Sequence, residues 1–148
     1  MAKSRNRVKD RTRKENTREE RKVIADRNLL TFSFKDLDQT QPKKDTETLQ
    51  RWIDLDLIKP LIGRLSELSN LTRDEATNQK QIKIYGNFPK KDITHFFHPD
   101  HIDQHVCWGV IEGIGGRPRI AGYVSENTFY IVFLDSEHRF WISEKKNT

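Results

Sequence analysis

The sequence predicts an α+β fold: a small, mostly antiparallel four-stranded sheet with two or three helices packed on one face, plus a basic N-terminal arm. Three observations predict it. Apolar residues recur at helical steps between Leu49 and Leu68. Three apolar or alternating runs follow one another near the end, in "GGRPRIAGYVSENTFYIVFLDSEHRFW" and the residues just before it. The first 28 residues are strongly charged and almost free of apolar side chains, so they have no face to bury. The chain divides accordingly into an arm, residues 1–28, and a single domain, residues 29–148.

The arm, which includes "SRNRVKDRTRKENTREERKVIADRN", reads as disordered or as a loosely held helix, and its role as either an Arg-rich arm that orders on RNA or a solubilising tail with no ligand. "LLTFSFKDL", Leu29 to Leu37, alternates and predicts a half-buried strand. "DQTQPKKDTE" is a polar loop delivering the chain to a helix capped by Asp45 or Thr46. Leu49, Trp52, Ile53, Leu57, Ile58, Leu61, Ile62, Leu65 and Leu68 line one helix face, and Pro60 kinks or breaks that helix near Lys59. "NLTRDEATNQ" predicts a further short helix or a capped loop starting at Asn70 or Thr72. "KQIKIYGNFP" is a strand or an extended connector, stopped by Gly86 and Pro89. "KKDITHFFHPDHIDQHVCW" is irregular about Pro99.

The last three runs predict a meander, with turns at Gly115-Gly116 and Glu126-Asn127. Phe129 to Leu134 is apolar on both faces, which places it inside the sheet.

Charge is unevenly distributed. Residues 1–28 hold 11 Lys and Arg against 5 Asp and Glu, a net of +6, whereas the remaining 120 hold 16 against 17, a net of −1. The basicity belongs to the arm, whose Arg5, Arg7, Arg11 and Arg13 are the candidate contacts to a polyanion such as RNA. No apolar run reaches the length of a membrane span, no membrane partner is expected, and the basic N-terminus has no following apolar segment of the kind a secretory signal needs. The single Cys107 forms no internal disulfide, which fits a reducing compartment and predicts a cytoplasmic protein.

Two constellations carry chemistry. His138 and Arg139 close the last strand, with Arg117 and Arg119 on its neighbour. Metal-independent RNA cleavage needs a base, a cation facing the phosphorane and an acid, and histidine and arginine suit those roles. The plainer alternative is a solvated strand end whose Phe140 and Trp141 close the core, or stack bases. The second is "HFFHPDHIDQH", where His95, His98, His101 and His105 are ligand types, although Pro99 interrupts the helix and no zinc spacing is present; no metal and no cofactor are expected.

The order of elements, with "RPRIAGYV" followed by "FYIVFLDSEHRFW", resembles the RelE/ParE superfamily of bacterial toxins over roughly residues 29–141. The resemblance implies a metal-independent endoribonuclease acting on ribosome-bound mRNA and neutralised by a cognate antitoxin protein. It implies His138, Arg139 and Arg119 as catalytic residues; Arg117 and Tyr123 are added as RNA contacts. The arm, the long segment from Lys80 to His105, and Phe140 or Trp141 where a Tyr often sits depart from that pattern. The alternative is a non-catalytic nucleic-acid-binding, regulatory or protein-interaction module.

Overall fold

The computed structural model describes residues 17–21 and 28–143; residues 17–21 are helical, and Arg5, Arg7, Arg11 and Arg13 lie outside the described residues. The elements run β1 (Thr31–Ser33), α1 (Leu49–Asp54), α2 (Ile58–Leu68), α3 (Arg73–Asn78), β2 (Ile82–Gly86), a 3-10 turn (Lys91–Ile93), β3 (Cys107–Ile111), β4 (Arg119–Ser125) and β5 (Thr128–Asp135). The fold is α+β. Its sheet has five strands in the order β1-β5-β4-β3-β2, rather than the expected four. The added strand is β2, whose short apolar run reads equally well as an extended connector until it pairs with β3. β1 lies parallel to β5, Phe32 opposite Phe129, so the sheet is mixed. The chain between the two runs through the helices and the other three strands, and three alternating residues carry no sign of pairing direction.

Pro60 breaks the helical stretch in two. It crowds the carbonyl four residues back, at Asp56, which takes a left-handed φ of +59° between α1 and α2. Pro60 itself sits in the first turn of α2, where no intrahelical donor is lost. α1 is capped by Thr48, whose hydroxyl accepts from Arg51 N at 3.0 Å, and not by Asp45 or Thr46. Those two residues are engaged earlier in the loop: Asp45 has φ +52°, and the Thr46 hydroxyl donates to Pro42 O at 2.7 Å. α3 carries the full capping box of Thr72 and Glu75.

The sheet has two buried faces. On one, Trp52, Leu61, Leu65, Leu68 and Ala76 of the helices pack against Ile82, Ile111, Ile120, Val124, Phe129, Ile131 and Leu134. On the other, Trp108, Val110, Ala121, Tyr123, Val132 and Phe133 are covered by Phe96, Ile102 and Phe140, with Phe88 at the margin. Among the described residues no helix contributes to that second layer. The irregular connector does, held to the C-terminal segment by His95 N donating to Arg139 O (2.9 Å) and Ile142 N to Ile93 O (2.8 Å).

β5 serves both layers by the alternation of its side chains, and a bulge adds one more residue to the second. Ala121 pairs with Phe133 but Gly122 with Ile131, leaving Val132 as the extra residue, so Val132 and Phe133 both enter the second core. Gly122 makes the bulge possible: a Cβ there would stand 1.9 Å from Tyr130 O. Among the described residues no helix is long and apolar enough to cross a membrane.

Candidate nucleic-acid interface

β5 ends at Asp135, which is fully buried. Its carboxylate accepts Arg139 N at 2.8 Å and Phe140 N at 2.9 Å, folding residues 136–140 back over the strand end. Burial pushes the Asp135 carboxyl above its ordinary value; the two N–H donors oppose that shift without cancelling it. Glu47, only 1% exposed, holds the turn from the other side by accepting from Ser136 N, the Ser136 hydroxyl (2.8 Å) and Arg51 Nε (3.1 Å).

Arg139 ties the turn to the loop preceding α1. Its Nη1 donates to Lys44 O and its Nη2 to Asp45 O, both at 2.8 Å, with Glu47 3.6 Å away. Pinned between turn and loop is a cleft of about 750 Å³, lined by Lys43, Lys44, Arg51, Arg117, Arg139 and His95, together with Pro42, Asp45, Phe97 and Glu137. Five guanidinium or ammonium groups thus meet two carboxylates at the wall, and a third, Glu47, beneath it. Glu137 sits 3.3 Å from Arg117 and 3.6 Å from Arg51. Lys43 and Lys44 are exposed and have no acidic partner among the described residues.

The residues singled out in the sequence separate into different places. Arg139 and Arg117 line the cleft; His138 and Arg119 do not. Arg119 closes its own loop, Nη1 donating to Gly116 O and, at 3.1 Å, to Arg117 O and Pro118 O, while Nε lies 3.6 Å from Glu112. His138 adopts φ +57° in the turn after β5. Glu112 is also bonded at 2.6 Å by Lys83, and that hydrogen bond holds its carboxyl below the ordinary value and raises the Lys83 ammonium. Tyr123 belongs to the second core, stacked on Tyr130 at 4.6 Å with its hydroxyl donating to Asp36; burial, then Asp36, raises that hydroxyl far above its usual range.

Phe140 is a core residue and Trp141 stacks on Tyr85 at 4.0 Å. Among the connector histidines, His98 packs against Phe88 and Trp108, and His101 Nε2 lies 3.1 Å from Asp36 O. Among the described residues no three His, Cys, Asp or Glu side chains converge on a point where a metal would sit.

Lys43, Lys44, Arg51 and Phe97 are absent from a reading of the sequence alone, and His95 enters it only as a ligand type. The pair "KK" in a polar loop carries no local signal that Arg139 will draw that loop against a strand end 95 residues away. No protein-family model, no curated protein and no solved structure matches the chain.

Proposed function

We propose that this chain is an RNA-binding module that seats a phosphate backbone in the cleft between the loop before α1 and the turn after β5. The observation that carries it is the pair of exposed ammonium groups of Lys43 and Lys44, without an acidic partner among the described residues, in one cleft with Arg117, whose side chain is 71% exposed. Phosphates neutralised there release counterions, so affinity falls with salt. The arm, at net +6, adds sequence-independent attraction to the same polyanion. Arg139 and Arg51 form the wall behind these groups, with part of their donor capacity already used on the protein. The test is binding of labelled RNA by fluorescence anisotropy to wild type and to Lys43→Glu/Lys44→Glu and Arg117→Glu. Weakened binding with a shallower salt dependence supports the cleft; unchanged affinity in both variants removes it from consideration.

A second reading is a RelE-like, metal-independent endoribonuclease acting on mRNA, with a neutralising protein partner. One observation favours it: His95 places an exposed imidazole in the same cleft as Arg117 and Arg139, a base beside two cations. In this reading His95 is the base, His138 sits next to Arg139 in the turn after β5, and Arg119 shapes the loop that presents Arg117. Induced bacterial expression with mapping of mRNA 5′ ends separates the readings. New ends that vanish in His95→Ala or His138→Ala identify a nuclease, and no new ends from the wild type leave the binding module.

A further inference from the structure

Phe97 is 61% exposed, the most exposed large hydrophobic residue described. It stands at the rim of the cationic cleft and also lines a second depression, of about 560 Å³, that shares Lys43. Its neighbours along the connector behave differently: Phe96 packs on Phe133 at 4.5 Å and Phe88 on Trp108 at 5.0 Å, whereas Phe97 takes part in no ring contact among the described residues. Its backbone is nevertheless held firmly. Gln41 clamps it from both sides, Oε1 accepting Phe97 N at 2.6 Å and Nε2 donating to Phe97 O at 3.0 Å, and the same Nε2 donates to Asp38 at 3.0 Å. The aromatic ring is therefore presented to solvent on a fixed backbone, beside cations.

We propose that Phe97 is a base-stacking platform that makes the cleft selective for single-stranded nucleic acid; this rests on the RNA-binding reading above and names its substrate class. Single-stranded binding combines a cationic groove following the backbone with an aromatic face on which a base stacks, and every base offers such a face. A duplex keeps its bases stacked on one another and offers the ring nothing. Lys43, Lys44 and Arg117 line the same cleft as the ring, so a strand whose phosphates lie in the cleft brings an unstacked base to Phe97. The ring sets strand selectivity and the cations set the charge requirement.

The experiment measures affinities of wild type, Phe97→Leu and Phe97→Trp for single-stranded oligouridylate, duplex RNA and inorganic polyphosphate, which has charge but no bases. We expect Phe97→Leu to lose roughly tenfold in affinity for the single strand, the scale of one stacked base, with polyphosphate binding unchanged, and Phe97→Trp to retain or tighten single-strand binding. Equal single-strand affinity of Phe97→Leu and wild type, or an equal loss on polyphosphate, overturns the stacking role. Lys43→Glu/Lys44→Glu is run alongside: unchanged polyphosphate binding in that variant rejects the cleft itself, which separates failure of the RNA-binding reading from failure of the stacking proposal.

Discussion

Arg139 donates from Nη1 to the main-chain carbonyl oxygen of Lys44 at 2.8 Å, joining the turn after β5 to the loop before α1. With the matching bond to Asp45 O, the planar fork occupies two consecutive carbonyls. Arg139→Ala should cost about 2 kcal/mol, the combined effect of removing two charged hydrogen bonds that water partly replaces, and should weaken RNA binding only because the cleft wall collapses. Urea unfolding checks this: an unchanged midpoint in Arg139→Ala would show that the clamp does not support the loop.

Lys44→Glu and Arg117→Glu should behave in the opposite way. Both side chains project from loops into solvent, so the unfolding midpoint stays put while RNA affinity falls. For every phosphate left without its cation, the slope of log affinity against log salt should also become shallower by about 0.7 for a single strand. Anisotropy titrations at several salt concentrations read the slope directly.

Asp135→Asn should destabilise the domain by about 1–3 kcal/mol at neutral pH, because an amide has one acceptor oxygen for two buried N–H groups and adds donors with no acceptor. The pH dependence has a definite sign. The folded carboxyl is raised above its ordinary 3.8, so the folded state binds its proton more tightly than the unfolded state does. Acidification through the raised value towards 3.8 therefore stabilises wild type and leaves the variant unaffected through this group. The variant's deficit should widen over that window, and a deficit that shrinks there contradicts the assignment.

Glu112 has the reverse sign. Its carboxyl is held below its ordinary 4.5 by Lys83, so the stability it contributes is complete above that value and is lost as pH falls through the depressed one. The pair is more than a third exposed, and the effect of Glu112→Gln should stay under about 1 kcal/mol. Comparing acid unfolding of the two variants tests both signs in one experiment.

Gly122→Ala should be among the most damaging single substitutions in the sheet. A methyl 1.9 Å from the Tyr130 carbonyl oxygen must push β4 from β5 at the bulge, where both strands are buried, and a cost of more than about 3 kcal/mol follows. Loss of soluble protein, or a strongly lowered melting temperature, is the expected readout; near wild-type melting would mean that the bulge relaxes freely.

Local chemistry makes the α+β class legible in the sequence, along with the helical face from Leu49 to Leu68 and its break around Pro60, a capped segment starting at Asn70 or Thr72 and the three-stranded meander. Periodicity, capping and turn residues act over a few neighbours and can be read from them. The parallel docking of β1 on β5, the promotion of residues 82–86 to a strand and the use of the histidine-bearing connector to cover the second face arise only when the chain folds. Folding also leaves His138 and Arg119 out of the cleft that Arg139 lines and brings Lys43, Lys44, His95 and Phe97 into it beside Arg117. These arrangements depend on groups far apart in the chain, the Arg139–Lys44 bond above all, and the direction in which an arginine uses its donors is set by whichever carbonyls the fold carries within its reach.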